Sequence, residues 1–184
     1  MQTIRTHTHA GQVAPRAVKD FMTGYFTGVT VVTAFSGSGR PHGLTCNSLV
    51  SVTLDPPTLL VCLDQGAGTL AAVRETGAFA VNLMSERGRA TAERFASAAP
   101  DRFDSVAWER SAHGVPVLVD DALSVAQCAV ADLHRVGDHT VVFGRILDIE
   151  NRPGNPLLYG MRTFSGAPEG VLEASVPGTL PAGR

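Results

Sequence analysis

From Gly43 to Leu54 apolar and polar residues alternate. Leu44, Cys46, Val50, Val52 and Leu54 share one parity, and Thr45, Asn47, Ser51 and Thr53 share the other. Period 2 predicts one long strand with an apolar face in a core and a row of small hydrogen-bonding side chains opposite. The alternation slips at Ser48 and Leu49, where polar and apolar change places. A slip of this kind marks a bulge or a functional site, where the strand leaves regular pairing. Asp55-Pro56-Pro57 ends the strand, because proline removes ladder donors and restricts the residue before it.

The remaining pattern is read around this stretch. Residues 15–26 predict a helix, with Pro15 at its first position, Val18, Phe21, Met22 and Tyr25 on one face and Gly28 marking its end. Residues 29–35 are rich in β-branched side chains and predict a strand. The turn Ser36-Gly37-Ser38-Gly39 joins it to the alternating stretch as a hairpin. Residues 58–63 form a continuous apolar run, the pattern of a strand buried on both faces. A helix over 70–75 follows, closed by Gly77, then a strand over 78–83 and a helix capped by Ser85 that runs to about Ala98. Trp108 falls in a short strand, and residues 114–118 read as a loop leading to an edge. Residues 123–136 and 140–150 flank Gly137-Asp138 as a long hairpin, and Pro156 begins a last short strand. Many strands joined by turns, with few helices, predict a mainly β fold: a closed antiparallel barrel with peripheral helices. The expected organisation is an arm over residues 1–14, one domain over 15–164, and a Gly-, Pro-, Ala- and Ser-rich tail over 165–184 that is mobile or lies on a partner subunit.

Composition narrows the function. The 184 residues are 44% hydrophobic and 17% charged, which suits one domain with a real core. A net charge of -2 and no long basic run argue against general nucleic-acid binding. Cys46, Cys62 and Cys128 are odd in number and lack CxxC spacing, so neither a disulfide framework nor a zinc site is expected. Reduced thiols, a polar N-terminus without an apolar signal core and no apolar run of transmembrane length point to a soluble cytoplasmic protein. Thr6-His7-Thr8-His9 reads as a terminal arm rather than a metal tract.

Several positions are candidates for chemistry. The row Thr45, Asn47, Ser48 and Ser51 suits a flat heteroaromatic ring or a phosphate, and equally an ordinary solvated strand face. Gly66-Ala67-Gly68-Thr69 opens a helix, where free N–H groups fit a phosphate; a simple turn with Thr69 as cap is the other reading. Arg102 suits a phosphate, or a surface pair with Asp101 or Asp104. His139, at the turn Gly137-Asp138-His139-Thr140, is either an exposed turn residue or a group near a reacting centre. His42 precedes the alternating stretch without an assigned role. No metal cluster and no nucleophile elbow are present in the pattern, so any redox or group chemistry belongs to a cofactor.

Four segments together resemble the flavin-reductase-like family, the reductase components of two-component flavin monooxygenases. They are Phe26-Thr27-Gly28-Val29-Thr30-Val31-Val32-Thr33, the stretch from Gly43 through Thr45-Cys46-Asn47-Ser48 to Asp55-Pro56-Pro57, Phe79-Ala80-Val81-Asn82-Leu83, and Gly137-Asp138-His139-Thr140. Pro156-Leu157-Leu158-Tyr159 also matches, so the likeness covers about residues 16–164. The resemblance implies a Greek-key, FMN-binding type of split barrel, a homodimer with flavin near the subunit interface, and FMN or FAD with NADH or NADPH as co-substrate. It implies that Thr45, Cys46, Asn47 and Ser48 line the isoalloxazine edge, with Ser51 in the same row, and that Cys62 and Leu63 end a strand beside it. Thr69 would bind the phosphate, Arg102 and Phe103 the phosphate and nucleotide side, and His139 the nicotinamide region. Cys46 stands where alanine is frequent in the family, and the segment 159–164 departs from the family's commoner ending, with Arg162 near the expected pocket mouth.

The function implied is an NAD(P)H:flavin oxidoreductase that hands reduced flavin to a partner monooxygenase. Hydride transfer would need the protein mainly to hold two rings in attack geometry, with His139 positioning the nicotinamide or assisting protonation. The alternatives are a flavoprotein that keeps its flavin and acts directly on an organic substrate, and a flavin-binding module without turnover.

Overall fold

The structure is a computed structural model that describes residues 13–167. Its elements run α1 (Pro15–Thr23), β1 (Thr27–Gly28), β2 (Thr30–Phe35), β3 (Pro41–Cys46), β4 (Val50–Leu54), β5 (Pro57–Asp64), α2 (Gly68–Thr76), β6 (Ala78–Met84), a 3-10 turn (Glu86–Gly88), α3 (Arg89–Ala96), β7 (Trp108–Arg110), β8 (Pro116–Leu118), β9 (Ala122–Val136), β10 (His139–Asn151), β11 (Leu158–Gly160) and β12 (Thr163–Ser165). The expected arms over 1–14 and 165–184 fall almost wholly outside the described residues. Ser165 itself closes β12.

Seven strands form the main sheet in the order β3-β2-β6-β9-β10-β5-β4, and every pairing is antiparallel. The sheet has to curl. In a flat sheet, six strand spacings would hold β3 and β4 about 29 Å apart. The chain goes from Cys46 to Val50 through only three intervening residues, a reach of about 14 Å at most. The two edges therefore approach each other, and the barrel stays split where they meet. The link from β5 to β6 bypasses β2 and β3, and α2 packs on those two strands as it crosses. That skipped pairing separates the fold from a simple meander.

Two cores result from alternation along the central strands. Val32, Ala34, Leu59, Val61, Leu63, Phe79, Val81 and Val142 fill one side, joined by Leu70, Ala72 and Val73 of α2. Val31, Ala80 and Val125 face the other side, under Ala92 and Phe95 of α3 and Val117 and Leu118 of β8. β2 is buried on both faces because it lies between these cores. Asn82 is fully buried, yet every polar atom of its amide is used. Its Nδ2 donates to the Val31 carbonyl (2.9 Å) and to Thr33 Oγ1 (3.0 Å), and its Oδ1 accepts from the Leu118 N–H (2.9 Å).

The expected single strand over residues 43–57 is instead two. It breaks at Asn47, Ser48 and Leu49, and its halves sit at opposite edges of the sheet. The apolar parity is right for Leu44 and Cys46, which pack on the inner core. It fails for β4, where all five residues are exposed and Leu54 is 87% exposed. β5 alternates rather than being buried on both faces, with Leu59, Val61 and Leu63 inside and Thr58, Leu60 and Cys62 half-buried. α1 ends at Gly24, not Gly28, and buries none of its apolar face. Ser85 is not a side-chain cap: its hydroxyl donates to the Asp121 carbonyl (2.9 Å), and a 3-10 turn intervenes before α3. The long hairpin, the β2–β3 hairpin and α2 with its left-handed Gly77 agree with the pattern.

Candidate active site

The split in the barrel opens onto a cleft of about 760 Å³, within the range of small-molecule sites. Its walls are β3 and the break after it, the end of β5, the start of α2, the segment 99–104 and His139. Thr45, Cys46, Asn47, Ser48, Cys62, Thr69, Arg102, Phe103 and His139 all line it. Ser51 and Leu63 do not. Ser51 is on β4, beyond the break, paired with Leu59 and exposed. The Leu63 side chain is 1% exposed and belongs to the inner core.

The break at Ser48 has a physical cause. Ser48 Oγ accepts from the Cys62 N–H (2.8 Å) and donates to the Cys62 carbonyl (3.3 Å). One side chain thus takes over both backbone groups of Cys62 on the side of β5 where β4 pairs only up to Val50 and Leu60. That frees the backbone of residues 47–49 from the ladder and leaves Asn47 exposed at the cleft. Thr45 points the other way. Its hydroxyl donates to the Ala92 carbonyl of α3 (2.6 Å), so it fastens β3 to the helix. Cys46 Sγ lies 3.2 Å from Thr30 Oγ1.

Asp64 shapes the opposite wall. Its Oδ1 accepts from the Gly66 N–H (2.7 Å), and its carbonyl accepts from the Ala67 N–H (3.1 Å). This turn sets up α2, whose cap residue is Ala67, with no side-chain cap. Thr69 is therefore inside the helix rather than its cap. The first N–H groups of α2 have no carbonyl to pair with inside the helix, and they open at the cleft with the positive end of the dipole.

Arg102 pairs with neither Asp101 nor Asp104. Its Nη1 donates to the Gly43 carbonyl (2.7 Å) and its Nη2 to the Ser97 carbonyl, while its buried Nε has no partner. The guanidinium thus staples the segment 99–104 onto β3. Phe103 follows into the outer core, edge-on to Phe95 and Trp108. Gly43 makes this packing possible. A Cβ there would lie 2.5 and 2.8 Å from Phe95 ring atoms.

His139 opens β10 opposite Asp64. Its Nδ1 lies 2.8 Å from Asp138 Oδ1. The hydrogen bond from His139 holds the Asp138 carboxyl below its ordinary value, so it is ionised and accepts. Nδ1 is then the donor, and Nε2 is left for a ligand. His42 also lines the cleft, packed against Gly68. Burial, and after it the Arg40 cation, hold its imidazole below 6.5, with Glu75 pulling the other way. The signal for His42 was available: it shares the parity of Leu44 and Cys46, the face of β3 turned toward α2.

Comparison with known proteins agrees with this fold. The flavin reductase like domain matches residues 22–168. The chain belongs to the flavin reductase like family. A flavin reductase (NADPH) of Lentzea aerocolonigenes is 53% identical over 146 residues, 78% of this chain and 85% of that protein. The reductase subunit HsaB of a flavin-dependent monooxygenase from Rhodococcus jostii is 34% identical, over 85% of this chain and 80% of that one. Among solved structures, the Streptomyces globisporus NADH:FAD oxidoreductase SgcE6, in complex with NAD and FAD fragments, superposes with a TM-score of 0.79 at 29% identity. That match covers 88% of this chain and 99% of the other.

Proposed function

We propose that this chain is an NAD(P)H-dependent flavin reductase. It uses NADH or NADPH to reduce FMN or FAD and supplies the reduced flavin to a partner monooxygenase. The observation that carries the reading is the convergence, in one cleft, of the break after β3, the open first turn of α2 and His139. The names of relatives support both halves: flavin reductases on one side, the reductase subunit of a monooxygenase on the other.

The chemistry is hydride transfer from a reduced nicotinamide to a flavin ring. The chain's part is to hold and orient. The released backbone of 47–49 offers N–H groups to the ring edge, where negative charge develops on reduction. The first turn of α2, with Thr69, takes the phosphate. Arg102 acts on that side through the wall it staples to Gly43, and Phe103 anchors the same wall. His139, with Nδ1 engaged by Asp138, directs Nε2 at the nicotinamide. Ring contacts from small neutral groups suit a flavin that enters and leaves, as delivery to a second protein requires.

The exposed apolar side chains of α1 and β4, with Phe21 82% and Leu54 87% exposed, support a homodimer. Three unpaired thiols support a reducing cytoplasm. Among the described residues, no helix is long and apolar enough to cross a membrane. The test is oxidation of NADH and of NADPH with FMN, FAD and riboflavin in parallel. Oxidation that depends on added flavin supports the proposal; no oxidation with any flavin overturns it.

A further inference from the structure

Behind His139 lies a polar network that the reaction as described does not use. Gln65 is half-buried in the turn between β5 and α2. Its backbone N–H donates to the Asp138 carbonyl (2.8 Å). Its Nε2 donates to the His139 carbonyl (3.0 Å) and to Thr140 Oγ1 (2.6 Å). Three consecutive residues of the histidine turn are thus held from one side chain and its own backbone. Arg74, in the last turn of α2, completes the set: its Nη2 donates to Gln65 Oε1 (3.1 Å) and to Thr140 Oγ1 (3.0 Å). Gln65 is fixed at both ends of its amide, and Thr140 is 1% exposed.

The network has a specific consequence for His139. That residue sits beside a tight turn at left-handed Gly137, and its own side chain is 47% exposed. Packing does not hold the ring. What fixes it is the Asp138 carboxylate on one side and the backbone at 138–140 on the other. That backbone pairs with β5 and β9 from His139 onward and is tied in addition to the turn that begins α2, and Arg74 ties the Thr140 side chain to the end of that helix. The helix whose first turn lines the cleft therefore also sets where the histidine stands.

We infer that Gln65, braced by Arg74, is a positioning residue that holds His139 in register with the cleft. The inference rests on the role given to His139 above. Gln65→Glu separates positioning from packing. It keeps the side-chain length and the contact with Arg74, and it loses the amide donors to the His139 carbonyl and Thr140. A rotation of the turn moves Nε2 relative to the bound ring, and misplacement by about 1 Å costs up to about a hundredfold in rate.

Two measurements on the full chain test this. The first is NAD(P)H oxidation with free flavin, for wild type, Gln65→Glu, His139→Ala and the double variant. Gln65→Glu is expected to lower kcat about tenfold, to leave the flavin Kd within twofold, and to add nothing in the His139→Ala background. The second is the His139 ring resonance in isotope-labelled protein without ligand. It is expected to shift or broaden in Gln65→Glu while the His42 resonance stays in place. An unmoved His139 resonance overturns the inference whatever the kinetics show. So does an unchanged kcat in Gln65→Glu where His139→Ala is impaired. An unimpaired His139→Ala with a shifted resonance overturns the role given to His139 in turnover and leaves its positioning by Gln65 supported.

Discussion

Ser48→Ala removes the side chain on which the split of the barrel depends. In the native protein Ser48 Oγ serves both the N–H (2.8 Å) and the carbonyl (3.3 Å) of Cys62. Each such bond contributes about 0.5–1.5 kcal/mol net, and a buried donor left without a partner costs about 1–3 kcal/mol. Cys62 is half-buried, so water can reach part of what is lost. The expected destabilisation is about 2 kcal/mol, or a fall in Tm of roughly 4–8 °C for a domain of this size. The second effect falls on the ligand. Asn47, Ser48 and Leu49 lose their tether to β5, and the backbone proposed to meet the flavin edge is no longer held. A loss of about 1.4 kcal/mol in binding is a tenfold rise in Kd. Urea unfolding at fixed protein concentration reads the first effect, and quenching of flavin fluorescence reads the second. Ser48→Thr keeps the hydroxyl and should recover most of both. Stability within 0.5 kcal/mol of wild type together with unchanged flavin affinity would refute the reasoning, because the break would then be held by something other than this hydroxyl.

Other perturbations test other parts of the site. Gly43→Ala should cost about 1–3 kcal/mol by overpacking, since its Cβ would meet the Phe95 ring at 2.5 Å; an unchanged thermal melt would show slack between α3 and β3. Cys128 is buried and its thiol is pushed up to about 12, so a thiol reagent at mildly alkaline pH should modify Cys46 and Cys62 in the native protein but reach Cys128 only in denaturant. Bound flavin should slow the reaction at Cys46 and Cys62, which line the cleft; equal rates with and without flavin would place the ligand elsewhere. His42 should titrate below 6.5 by NMR. In the unfolded chain it takes up its proton first, so stability falls as pH drops from 6.5 toward the lowered native value; a native midpoint at or above 6.5 would contradict its burial.

The hairpins were the legible part of the fold. β2 with β3, and β9 with β10, combine apolar, β-branched segments with glycine turns, and both signals are local. The fate of β4 was not legible. Val50 and Val52 share a parity with Leu44, and alternation says that residues share a face without saying what covers it. β4 pairs with β5 in a tight hairpin, Leu54 opposite Pro57, and the edge that this hairpin occupies is set by β5 pairing with β10, a long-range event. The same limit applies to α1, whose amphipathic face is real but unburied. In the site, the slip at Ser48 and Leu49 coincides with the break between β3 and β4, and Ser48 and His139 both line the cleft. The Thr45 hydroxyl and the Arg102 guanidinium line the cleft with donors already engaged, which no local pattern shows. Thr45 is committed to Ala92, and Arg102 to Gly43 and Ser97. A sequence displays donors, but their partners are chosen by the fold. Leu63 and Ser51 do not line the cleft for a related reason, since neighbours of cleft-facing residues along a strand turn to the other side or lie past the break.

A cleft that reduces a flavin which comes and goes should turn over many flavins per chain. The most direct measurement is anaerobic bleaching of free flavin by NAD(P)H with the protein in trace amount. Bleaching should run far beyond one flavin per protein chain, with reduced flavin recovered on the far side of a membrane that retains the protein. No bleaching, or bleaching that stops at one flavin per chain, would contradict this turnover.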